Sequence, residues 1–117
     1  MGFGFEQLDV YHKAIDRVRH IYVLTKGFPN EEMFGLTGQL RRASVSMVAN
    51  ISEGSARSKR EFGRFIDIAR GSLFECVALL EIACKQRYIK EDEFAVLKKD
   101  LTDLSKMLSG LKRSIIH

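Results

Sequence analysis

Tryptophan is absent from the 117 residues, proline occurs once, at Pro29, and cysteine twice, at Cys76 and Cys84. A single proline leaves long stretches free to be helical without interruption. Two cysteines eight apart in one helix-forming segment are too distant for a disulfide within that element and do not make a C-x-x-C metal knuckle. Both are expected as buried, reduced thiols. Long apolar runs are missing too: charge-free stretches such as Ala43 to Ser52 fall well short of the roughly 20 residues that a membrane helix needs, so no span is expected. The opening MGFGFEQLDV has no basic region followed by an apolar one, and Glu6 stands where a myristoylation motif requires Ser or Thr. The expected location is the cytoplasm.

What is present is ordinary for a folded soluble chain: 45% hydrophobic and 29% charged residues, in a length that suits one hydrophobic core, taken as a single domain over 1–117. Nineteen basic against fifteen acidic residues give +4, a mild excess compatible with nucleic acid but not diagnostic of it.

The hydrophobic periodicity is helical throughout. Leu8, Tyr11, Ile15, Val18 and Tyr22 line one face of a helix from about Gln7 to Lys26, and Gly27-Phe28-Pro29 breaks it. Asn30 is the expected cap of a second helix, with Glu31 and Glu32 in its first turn and Leu36, Leu40, Ala43, Met47 and Ile51 as its stripe. Gly54 is its expected stop. Ser58 and Glu61 form a capping box for a third helix that carries Phe62, Phe65, Ile66, Ala69, Leu73, Val77 and Leu80 to about Tyr88. Phe94, Leu97, Leu101, Leu104, Leu108, Leu111 and Ile115 hold an unbroken heptad register in a fourth.

Four amphipathic segments with short connections predict an all-α, up-down-up-down four-helix bundle. The two middle helices exceed what such a bundle covers: Ala43 to Ser52 holds no charge, and Gly71 to Leu80 holds only Glu75. The excess predicts subunit contacts through the middle helices, with helices one and four, whose polar faces look clean, on the outside.

On helix two a polar row, Gln39, Arg42, Ser46, Asn50 and Glu53, runs beside the Leu40 and Met47 stripe at spacings of three and four. Glu75 stands alone in the apolar window of helix three. A buried carboxylate needs a partner, and the forked donors of Arg42 are the nearest apt group, so a mostly buried Arg42–Glu75 pair helped by Asn50 or Ser46 is expected to fix the helix register.

Enzyme chemistry finds little purchase. A carboxylate di-iron bundle needs paired Glu-x-x-His elements, and none of His12, His20 and His117 follows a Glu by three. His12 and His20 sit eight apart on helix one and are read as exposed or partly packed histidines rather than as ligands, so no metal or other cofactor is expected. Glu53 and Glu75 can be drawn as an acid/base pair, but no nucleophile, oxyanion device or phosphate loop accompanies them. The expectation is a protein that is not an enzyme.

The succession F-x-x-L-D-V-Y-x-K-A, Phe28-Pro29, L-T-G-Q-L-R-R-A-S-V-S, A-N-I-S-E-G, K-R-E-F and A-R-G-S-L-F-E covers nearly the whole chain. It resembles the four-helix-bundle family of 23S rRNA intervening-sequence proteins. The resemblance implies a small bacterial cytoplasmic protein assembling as a homopentameric barrel, with no catalytic motif. The family is in turn similar to the accessory proteins of diversity-generating retroelements, which are basic pentamers that bind nucleic acid and a reverse transcriptase. The family pattern falls on Gln39, Arg42, Ser46, Asn50, Glu53, Gly54, Gly71, Ser72 and Glu75. It departs at Met47-Val48, where Ile-Pro is common in the family, so helix two is expected to run straighter here.

Two functions then compete. One is an oligomeric scaffold that binds RNA or DNA as a ribonucleoprotein-type accessory protein. The other is a structural or partner-binding oligomer without a nucleic-acid role. Arg57, Lys59, Arg60 and Arg64, four cations within eight residues with Glu61 the only acid among them, are the expected phosphate-binding cluster. Phe62 and Phe65 belong to the apolar stripe, which leaves backbone contact rather than base stacking.

Overall fold

The computed structural model describes residues 2–116. Four α-helices, α1 (Asp9–Thr25), α2 (Leu36–Ser55), α3 (Lys59–Lys85) and α4 (Glu91–Ile116), account for most of the chain, and two short 3-10 turns, Gly4–Gln7 and Asn30–Glu32, precede α1 and α2. No strand occurs among the described residues. The molecule measures 43 × 23 × 22 Å, close to the roughly 40 Å that a 27-residue helix spans at ~1.5 Å per residue. Helices of that length with such short connections must reverse at each turn, which gives the expected four-helix bundle, with α4 closing against α1.

The leucine register of α4 packs as read: Leu97, Leu101, Leu104 and Leu108 are buried, while Phe94, Leu111 and Ile115 flank them half-buried. The face of α1 does not. Val10, Ala14, Ile21 and Thr25 are buried, whereas Ile15 and Tyr22 lie exposed. The core stripe is the neighbouring row Val10, Ala14, Arg17, Ile21, Thr25, and two of its members are polar. Arg17 spans to Asp100 on α4 as an ion pair. Thr25 donates its hydroxyl to the Ile21 carbonyl at 2.8 Å and accepts from Arg41 Nε at 2.9 Å. Side chains that satisfy their polar atoms in this way fill core positions that a hydrophobicity pattern skips.

Helix α2 begins later than Asn30. That residue opens a 3-10 turn, and the cap comes from Glu32, whose Oε1 accepts from the Leu36 N–H at 3.1 Å. The other carboxylate oxygen accepts from the Tyr88 hydroxyl at 2.9 Å, and the Tyr88 ring packs on Phe28 at 5.4 Å between centroids. That hydrogen bond, followed by burial, raises the Tyr88 phenol above its ordinary pKa. Through Met47-Val48 the helix is continuous.

Gly54 does not stop α2, which continues to Ser55. It is buried, and a Cβ there would stand 2.5 Å from the Cβ of Phe65 on α3. The glycine lets two backbones approach at the tight Ala56-Arg57-Ser58 corner, where a methyl would cost on the order of 1–3 kcal/mol of overpacking. Ser58 caps α3 as expected, accepting from the Glu61 N–H at 3.2 Å, and its hydroxyl donates to Glu61 Oε1 at 3.1 Å.

The end of α3 carries a non-glycine residue with positive φ, Arg87 at 65°. Tyr88 N–H bonds the Ala83 carbonyl at 2.9 Å and Arg87 N–H that of Cys84 at 2.9 Å, the paired bonds of a Schellman stop, where glycine is the favoured residue. Arg87→Gly removes the left-handed penalty and is expected to stabilise the fold by about 1 kcal/mol, measurable as a higher urea midpoint at unchanged slope.

Candidate nucleic-acid interface and the polar row

The α2–α3 corner brings Arg57, Lys59, Arg60 and Arg64 to one end of the bundle, all exposed. They are not equivalent. Arg57 reaches Glu53 at 3.0 Å and Glu61 at 3.7 Å, and its guanidinium lies 5.4 Å above the Phe65 ring. That residue is therefore partly neutralised and braces the corner, although exposed pairs of this kind contribute at most about 1 kcal/mol each. Among the described residues Lys59, Arg60 and Arg64 have no ion-pair partner. They occupy the first turns of α3, where the helix dipole disfavours positive charge. The fold gains nothing from cations there, and the potential they create is left open to solvent.

Long-range packing adds a contribution that residue spacing did not reveal. Lys112 bonds Asp67 at 2.7 Å, which places the last turns of α4 beside the early turns of α3. Exposed Arg113 thereby joins the basic end. Its only sequence signal is a cation in the last turn of an antiparallel neighbour.

The polar row of α2 is split. Ser46 and Ser72 hydroxyls meet at 3.1 Å, and Asn50 Nδ2 donates to the Ser46 carbonyl at 2.8 Å and to its hydroxyl at 3.2 Å, forming a small α2–α3 network that does not include Arg42 or Glu75. Glu53 is engaged by Arg57 instead. Gln39, Arg42 and Glu75 are exposed, and the buried Arg42–Glu75 pair does not form. The reason is direction. At ~100° per residue the row lies ~120° around α2 from the Leu40 stripe, on the outside of the α2–α3 pair. Glu75 shares its outward strip with Ile68 and Ile82, which are 51% and 50% exposed. An apolar window raises the count of hydrophobic residues without turning them all inward.

Potential chemistry elsewhere is sparse. Ser46 opposite Ser72 and Gly54 opposite Phe65 set the α2–α3 register. By that register Glu75 stands level with Ala43, about three turns from Glu53, so the two carboxylates share no cleft. The charged cleft between α1 and α4, about 270 Å³, is lined by Lys13, Asp16, Arg17, Asp100 and Asp103, with the Arg17–Asp100 pair across it. His12 Nε2 lies 2.8 Å from the Glu6 carbonyl, and His117 is outside the described residues. No group of three His, Cys, Asp or Glu side chains able to hold a metal ion occurs among the described residues. No helix there is long and apolar enough to cross a membrane.

Several apolar side chains remain uncovered, Phe34 most of all at 96% exposed, and two of the uncovered surfaces lie on the α1–α2 side and on α3. Ile15, Val18 and Tyr22 of α1, the row first assigned to the core, form with Val45, Val48 and Ala49 of α2 a groove of about 380 Å³ whose one charged lining residue is Arg19. The outward strip of α3 is the other. Helix α1 is thus not clean and polar as expected but contributes half of an exposed apolar groove.

Together these features define a small all-α, four-helix protein with a basic end and open apolar faces. The chain matches the family model of the 23S rRNA-intervening sequence protein over residues 6–110 and belongs to that family. It is similar to a crystal structure of a protein of unknown function from the S23 ribosomal protein family of Bacteroides thetaiotaomicron VPI-5482, with a TM-score of 0.81 and 26% identity over 89% of this chain and 95% of that one. No curated protein matches.

The thiols divide by environment. Burial first, and the adjacent Glu75 charge second, push Cys76 from 9.0 up to about 12, whereas Cys84 is only half-buried. At pH 8 a thiol reagent is expected to modify Cys84 in the native protein and Cys76 only on unfolding, with both modified in denaturant. Because folding suppresses Cys76 ionisation, its contribution to stability is full below about pH 9 and is lost as the pH climbs toward 12.

Proposed function

We propose that this protein is a non-enzymatic, self-assembling helical scaffold of the cytoplasm that binds RNA or DNA through the basic end of the bundle, as a ribonucleoprotein-type accessory protein. The observation that carries this reading is the set of exposed cations Lys59, Arg60 and Arg64, none paired with a described residue, at the dipole-positive end of α3. A phosphate chain relieves both the mutual repulsion of these cations and their unfavourable position, and a cyclic assembly repeats the site at each subunit. The aromatic rings of α3 at this end are committed to packing, Phe62 in the core and Phe65 under Arg57, which favours backbone contact over base readout at the α2–α3 corner.

The second reading, a structural or partner-binding oligomer without nucleic acid, draws support from Arg57, whose charge Glu53 and Glu61 already offset. A gel-shift titration separates the two. The parent is expected to bind single-stranded RNA or DNA with little sequence preference and with the logarithm of its affinity falling linearly in log salt. Lys59→Glu, Arg60→Glu and Arg64→Glu combined abolish the shift while helicity is retained, and a folded triple mutant that binds like the parent excludes this end as the site. Leaving Arg57 in place keeps the corner intact.

Assembly is the other half of the proposal. Its support is the exposed apolar groove and strip, together with the family resemblance to pentameric barrels. Light scattering at micromolar protein is expected to give about five times 13.3 kDa; a stable monomer at that concentration rejects it.

A further inference from the structure

We infer that the two uncovered faces are halves of one heterologous contact: the outward strip of α3 on one copy seats in the α1–α2 groove of the next, with Glu75 against Arg19. This pairing rests on the assembly proposed above and specifies which surface meets which. Ile68, Glu75 and Ile82 are spaced by seven, so they form a nearly straight line along α3, about 21 Å long at ~1.5 Å per residue. At Gly71, between the first two, a Cβ would meet nothing within 4 Å, so a second chain can approach the helix backbone there.

The groove offers the complement. Its walls are aliphatic and aromatic, and its charged lining is confined to Arg19. Glu75 is the one charge in the Ile68–Ile82 line, and neither it nor Arg19 has an ion-pair partner among the described residues. An apolar ridge with one central anion matches an apolar groove with one cation, and pairing the two leaves no isolated charge in the contact. The occupant is a second copy because this chain carries both halves on different helices. Since the faces differ, each copy that fills a neighbour's groove leaves its own groove open, so the contact propagates until a ring closes.

Two variants that each disable one half give the test. Val45→Glu places a charge in the groove and Ile82→Glu places one on the strip; both positions are exposed, so the fold is expected to survive, as circular dichroism checks. Each variant alone is expected at the monomer mass by light scattering, and an equimolar mixture at twice that mass, because one intact strip and one intact groove remain and nothing further can add. Glu75→Arg is expected to shift the parent assembly toward monomer and Arg19→Glu in the same chain to restore it. An assembling parent whose two variants stay monomeric when mixed, or either of which assembles alone like the parent, overturns this pairing and leaves the assembly standing. A monomeric parent overturns both.

Discussion

The close approach of α2 and α3 sets everything else. At Gly54 the two backbones come together too tightly for even a methyl group, and two turns further on Ser46 and Ser72 meet through their hydroxyls. Small residues at both points fix the axial register of the pair. With register fixed, Leu40, Met47, Ile66, Leu73 and Leu80 face one interior, and α1 and α4 have a defined surface on which to close. Arg42 and Glu75 point away from that interior and stand outside it.

That geometry distributes charge in a consistent way. Arg17–Asp100 and Lys112–Asp67 are ion pairs between helices that stitch α4 to its neighbours. Glu53, Arg57 and Glu61 brace the corner. Among the charges that form no ion pair with a described residue are Lys59, Arg60, Arg64 and Arg113 at one end and Arg19 and Glu75 on two sides. Charges that stability does not use are the natural candidates for recognition.

The number of helices, the Ser58 cap and the leucine register of α4 were legible because each is written in residues within one or two turns of one another. So was the basic corner, as a run of neighbours. The failures share a different cause. The core face of α1 passes through Arg17 and Thr25, whose polarity is satisfied by Asp100 and by Arg41 and backbone on other turns. The start of α2 depends on Glu32, and the role of Gly54 on Phe65. Glu75 lay in a window whose composition said buried and whose direction says exposed. In each case the deciding partner lies elsewhere in the chain, and only the assembled helices bring it into contact.

One carboxylate, that of Glu32, binds the first turn of α2 with one oxygen and Tyr88, beyond the end of α3, with the other. The loop between α1 and α2 and the loop between α3 and α4 therefore do not loosen one at a time, since losing that side chain frees both. The end of the bundle far from the basic corner behaves as a single cooperative unit, held shut from within.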